Sequence, residues 1–186
     1  MSGYREILSQ DAGSGGNFYI GLSSNNQIRA GDSWSSIGVP FPLDNNWHHF
    51  TVVKESSNTY FYLNGELRAT KGSAILNPTG STFRIARQYG GHGEYFQGQV
   101  DEVRIYNRSL TANEITSSSD SGLVGYWSLN EGSGSTITDI SENGYTGTVY
   151  GAIWAESGLP VFSTTEAETF VIAPGGAYGL NITFTP

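Results

Sequence analysis

The residues best suited to ligand chemistry lie in the run Arg87-Gln-Tyr-Gly-Gly-His-Gly-Glu-Tyr95, together with Trp34 in Asp32-Ser-Trp-Ser35. Rings at Trp34, Tyr89 and Tyr95 can stack on C–H faces, while Arg87 and His92 offer planar hydrogen-bonding groups, a combination that suits a polyhydroxylated ligand. Gly90, Gly91 and Gly93 let the backbone of such a loop approach a ligand closely. The same pattern also describes an ordinary hairpin whose Tyr95 and Phe96 pack on a sheet edge, and both readings stay open. Two other pairs look chemical and are not. His48 and His49 are adjacent, so a strand points them to opposite faces and they cannot jointly chelate a metal; hydrogen-bonded structural histidines are expected. Asp101 and Glu102 are adjacent too, which cannot place two carboxyl groups about 5 Å apart on one sugar as a retaining glycosidase requires. Neither Glu-x-Asp-x-x-Glu nor Gly-x-Ser-x-Gly occurs, and no Cys is present, so thiol and disulfide chemistry is excluded and no enzyme is expected.

The elements that must carry these residues are strands. Charged residues make up only 14% of the chain and aromatics 13%, with 25 Gly among 186 residues, a composition that favours an all-β, turn-rich domain over a helical one. Period-two alternation recurs in residues 17–22, 47–53, 59–63, 81–86 and 99–106, and shorter strand-like segments follow at 123–127, 147–150, 152–154, 169–172 and 180–184. Asn64-Gly65 predicts a type I′ hairpin between two antiparallel neighbours. A short helix is predicted at 109–115, with Thr111 and Glu114 at capping-box spacing. Along 47–53, Trp47, His49, Thr51 and Val53 share one face, and His48, Phe50 and Val52 the other; both are apolar enough to be covered. Trp47, Trp127, Trp154, Phe50, Phe61, Phe83 and Tyr106 are assigned to the core. Period two also puts Asp101 on the face of Val103 and Ile105, where a carboxylate needs a partner.

Seventeen acidic against nine basic side chains give a net charge of −8, which opposes a phosphate backbone, so nucleic acid is not an expected partner. No apolar run is long enough to cross a membrane, and no apolar segment follows Met1-Ser-Gly-Tyr-Arg5, so neither insertion nor an export signal is read.

Four motifs carry a resemblance: Trp47-His-His-Phe-Thr-Val-Val53, Tyr60-Phe-Tyr-Leu-Asn-Gly-Glu-Leu67, Gly98-Gln-Val-Asp-Glu-Val-Arg-Ile-Tyr-Asn-Arg-Ser-Leu110, and Gly122-Leu-Val-Gly-Tyr-Trp-Ser-Leu-Asn-Glu-Gly132 followed by Asp139-Ile-Ser-Glu-Asn-Gly144. Together they resemble the laminin-G-like domains of the concanavalin-A-like lectin and glucanase superfamily. The resemblance implies a two-sheet antiparallel β-sandwich, a jelly roll, but the family's order is reversed here. A cut through a tandem array or a circular permutation would each produce that reversal. The single-domain reading (1–186) takes 1–116 as the family's C-terminal part, 117–122 as a linker and 123–186 as its N-terminal part, with a monomer or strand-exchanged dimer as the consequence. The resemblance further implies a non-catalytic, secreted or cell-surface recognition and adhesion module whose leading ligand is carbohydrate or a cell-surface glycan. The alternatives are a protein-binding or structural spacer and, less favoured, a glucanase-like hydrolase. It also implies a structural Ca²⁺, for which the matching positions are Asp101, Asn130, Glu131 and Asp139.

Overall fold

The computed structural model describes residues 3–11, 18–31, 36–72, 82–88, 94–155, 160–162, 170–171 and 179–185. In chain order the elements are β1 (Arg5–Asp11), β2 (Phe18–Leu22), β3 (Gln27–Gly31), β4 (Ser36–Pro40), β5 (His48–Glu55), β6 (Asn58–Leu63), β7 (Glu66–Lys71), β8 (Thr82–Ile85) and β9 (Gly98–Tyr106). Then follow α1 (Ala112–Ser117), β10 (Leu123–Trp127), β11 (Thr136–Ile137), β12 (Gly147–Thr148), β13 (Ile153–Trp154), β14 (Pro160–Phe162), β15 (Phe170–Val171) and β16 (Gly179–Thr185). No helix among the described residues is long and apolar enough to cross a membrane.

Among the described residues two large antiparallel sheets face each other, and β11 and β12 form a separate two-stranded ribbon. Of the two large sheets, the smaller runs β15-β8-β1-β2-β3-β4 and the larger β13-β14-β9-β16-β5-β6-β7, with β10 also paired to β9. Their inner faces enclose one core: Ile7, Leu8, Ile20, Leu22, Ile28, Phe83 and Ile85 from the smaller sheet meet Phe50, Val52, Phe61, Leu63, Val100, Val103 and Ile105 from the larger. Trp127, fully buried, stacks on Phe83 with ring centroids 6.0 Å apart, and Phe50 lies 5.0 Å from Phe61. Each such side chain removed from water contributes about 1.5–3 kcal/mol, which makes this layer the main source of stability. The predicted sandwich is therefore the fold, and the alternating strand pattern is its cause.

A second, smaller cluster covers the outer face of the larger sheet. Val53, Tyr106, Leu110 and Ile115 are buried together, with Tyr60, Tyr62 and Leu123 against them. The expectation that both faces of β5 are covered holds because α1 lays Ile115 on the outer one. The helix is short but well ended: the Thr111 side chain accepts from the Glu114 N–H, the Glu114 carboxylate accepts from the Thr111 N–H, and Ser118 closes it in the left-handed region. Arg108 clamps Glu114 with two bonds of 2.6 and 3.1 Å. The Ser-rich stretch 117–122 is tied into this knot, since Arg108 Nε donates to the Ser121 carbonyl and Asn107 N–H to that of Gly122. It links two paired neighbours, β9 and β10.

Three local expectations change. Trp47 is not core: it is 40% exposed at the start of β5. Trp154 is only partly buried, packed against the edge of the core. Asp101 does not share the inner face of Val103 and Ile105, because Glu102 adopts a left-handed φ of 55° and the pairing of β9 with β16 slips there. That bulge resets the period, so Val100 and Val103 both point inward and Asp101 outward. The Asn64-Gly65 turn is as predicted, with φ of 53° and 81°.

Candidate functional site

The outer face of the larger sheet holds an open cleft of about 470 Å³, lined by Trp47, His49, Asn64, Gly65, Glu102, Arg104, Ile115, Thr116 and Ser118. Its floor is strand, one end is the β6–β7 turn and another is the end of α1. Gly65 suits that turn through its positive φ of 81°, and a Cβ there would sit tightly, 3.0 Å from the Thr116 methyl group.

One wall begins at the start of β5. His48 faces away from the cleft's chemistry and serves as a fixed post. The Asn64 Oδ1 accepts the His49 backbone N–H at 2.9 Å, which turns the Asn64 amide NH₂ toward His48 Nδ1 at 3.3 Å. His48 Nδ1 must then accept, so the ring proton sits on Nε2 and donates to Asp44 at 2.8 Å. That bond, with the Asn46 N–H, lowers the Asp44 carboxyl to about 2. His49, on the opposite face, lines the cleft. Burial, helped by the positive charge of Arg104, lowers its imidazole to about 4, so it is a neutral hydrogen-bonding group at ordinary pH.

The other wall is a locked triad. Arg104 donates to Glu102 at 2.5 Å, the Tyr126 hydroxyl donates to both Glu102 oxygens at 3.0 and 2.9 Å, and the guanidinium lies 3.8 Å from the Tyr126 ring centroid. Burial and the Glu102 carboxylate raise the Tyr126 hydroxyl to about 12. Tyr126 comes from β10, which pairs with β9 at Arg104, so the Trp127 motif and the β9 motif meet here. Beside His49 in the first wall, Trp47 presents an exposed indole.

The expected ligand residues lie elsewhere. Trp34, Tyr89 and His92 fall outside the described residues. Arg87 and Tyr95 are brought together at the stem of their loop, joined by an antiparallel bridge with the guanidinium 5.8 Å from the Tyr95 ring. Phe96, whose N–H bonds to the Ala86 carbonyl, is buried in the core. The stem also lies along β1 through a parallel bridge from Glu6 to Tyr95. There Glu6 and Arg29 form a fully buried pair at 2.8 Å, with the Arg29 guanidinium 4.5 Å from the Tyr4 ring and 5.4 Å from the Tyr19 ring. Burial raises the Glu6 carboxyl well above its ordinary range despite the pairing, and the nearby Glu94 charge adds to it. Burial also raises Asp101, to about 6.

The residues matched to calcium are spread over hydrogen-bonding tasks. Asp139 accepts from three backbone N–H groups, those of Tyr126, Ser141 and Tyr145, at 2.9 to 3.0 Å. Glu131 accepts from the Thr138 N–H, and Asp101 from that of Glu102. Among the described residues no three His, Cys, Asp or Glu side chains gather as a metal site.

Sequence reasoning missed the cleft residues Trp47, His49, Glu102 and Arg104 as a set, and Tyr126 as the group that holds Glu102. Trp47 carried a usable signal, since it follows Asn45-Asn46 at a turn and stands one residue ahead of the strand. The Glu102–Arg104–Tyr126 group carried none, because it depends on a bulge and on a pairing between distant segments.

A family model for laminin-G-like sequences, described as the concanavalin A-like lectin/glucanases superfamily, matches residues 2–116. No curated protein sequence matches the chain.

Proposed function

Because this chain belongs to the concanavalin A-like lectin/glucanase superfamily through its laminin-G-like segment, we propose that it is a non-catalytic recognition module that binds carbohydrate in the outer-face cleft. One observation carries the reading: an indole exposed at 40%, Trp47, stands beside the neutral His49 and the immobilised Glu102–Arg104 pair. A sugar ring stacks its C–H face on such an indole while its hydroxyls take hydrogen bonds from planar, pre-positioned groups. The two walls need little reordering on binding, which limits the entropic cost. Family membership favours an extracellular or cell-surface setting, with glycans as the available ligands.

A binding role fits the carboxylates better than hydrolysis does. Asp101 and Glu102 are neighbours, and Glu102 has both oxygens engaged by Arg104 and Tyr126, which leaves it poorly placed to attack or protonate a glycosidic bond.

A glycan array of the intact chain tests the proposal, with Trp47→Ala as the informative variant. Specific binding lost in Trp47→Ala supports the cleft. Binding lost instead on Trp34→Ala or Tyr89→Ala would move the site to the 87–95 loop, and silence across the array would favour a spacer.

A further inference from the structure

The cleft's two walls stand on strands that do not pair with each other. Glu102 and Arg104 ride on β9, Trp47 and His49 at the start of β5, and the larger sheet places β16 between them. β16 pairs with β5 from Gly179↔Val53 to Phe184↔His48, and with β9 from Gly179↔Tyr106 to Thr185↔Gln99. Position 183 stands opposite both His49 and Asp101, and position 181 opposite both Thr51 and Arg104. With neighbouring strands ~4.8 Å apart, the walls are held ~9–10 Å apart by one interposed strand.

That strand comes from the far end of the chain. The family-matched segment, 2–116, contains β5 and β9 but not the strand between them. Left empty, the position would expose two facing rows of backbone N–H and C=O groups in the middle of a sheet, a state that folded chains do not leave unpaired.

We infer that β16 is the element that assembles the cleft: added from its own chain between β5 and β9, it sets the spacing and register of the two walls and makes ligand binding conditional on its insertion. The mode is strand addition, in which main-chain bonds supply the affinity. Chain order and spatial order are thereby decoupled, as in a circularly permuted jelly roll. The inference rests on the cleft being the binding site, but its physical step, the insertion of β16, involves no ligand and is read without one.

The full-length chain carrying Thr51→Cys and Asn181→Cys tests insertion directly. The chain has no other Cys, so oxidation can join only this pair, and directly opposed antiparallel positions have Cα separations a disulfide accepts. The expected product is a disulfide within one chain at monomer mass. A covalent dimer would show the strand arriving from a second copy, and no disulfide would show it absent from the slot; either overturns the inference. A second full-length variant, Ile182→Pro, removes a backbone donor from a central strand, where proline is not accommodated. Expected there are a move of the His49 titration from about 4 toward its ordinary 6.5 and at least a tenfold loss of glycan affinity. A variant with His49 still near 4 and unchanged affinity would overturn the inference. If the wild-type chain binds no glycan, the disulfide and the His49 titration still decide whether β16 builds the cleft, so the two proposals fail separately.

Discussion

At the scale of single residues, the exposed Trp47 is the decisive group. Since two-fifths of its surface faces water, Trp47→Ala should lower stability by no more than about 1–2 kcal/mol, less than truncation of a fully buried ring. A denaturant melt that shows a loss comparable with a core ring would return Trp47 to the scaffold. His49 makes a prediction about pH. Its folded value is about 4, below the ordinary 6.5, so between those values the unfolded chain binds a proton that the fold refuses. The stability it contributes is present above pH 6.5 and declines as pH falls toward 4, with no further loss below. His49→Gln should flatten that part of a stability-versus-pH curve, and an unchanged slope would mean the imidazole is not buried as described. His48 was legible as structural from the sequence because adjacent strand residues diverge. Asp101 was misread because one left-handed residue, Glu102, inverts everything before it relative to everything after, and nothing in the local pattern marks Glu102 as that residue.

At the scale of elements, α1 and β10 carry the weight. The helix has a single apolar anchor, Ile115, so its caps matter more than its propensity. Thr111→Ala should cost about 1 kcal/mol in a reversible melt. Arg108 and the Thr111 backbone and side chain lower the Glu114 carboxyl to about 2, from an ordinary value of 4.5. The stability tied to that ionised form is therefore complete above about 4.5 and is lost as pH falls through 2. On β10, a Cβ at Gly125 would lie 2.4 Å from the Trp127 ring, and that ring is fixed against Phe83. Gly125→Ala should destabilise by about 1–3 kcal/mol, measured by the same melt; a neutral result would show that Trp127 has room to move. These elements were readable in advance for a physical reason: capping boxes, Asn-Gly turns and period-two alternation are local rules. The pairing of Tyr126 with Arg104, and the placing of β16 between β5 and β9, are long-range events for which a single sequence holds only the compatible pattern.

At the scale of the whole molecule, the fold explains why chemistry collects where it does. Its sandwich buries the apolar faces between the sheets, and α1 covers the outer face of the larger sheet only in part. The uncovered remainder is the cleft. The bonding of Asp139 and Glu131 to backbone N–H groups ties down the turns after β10. A structural Ca²⁺ at these turns would raise the thermal transition in calcium relative to EDTA, and identical melts in the two would end that reading. In the proposed binding mode a carbohydrate stacks on Trp47 between the two strands that flank the cleft. That mode is tested most directly by nuclear magnetic resonance of the labelled intact chain titrated with the glycan that scores highest on the array. The prediction is saturable shifts at the Trp47 indole N–H, the His49 ring and the backbone of residues 102–104. Shifts confined to residues 87–95, or no shift at saturating glycan, would contradict it.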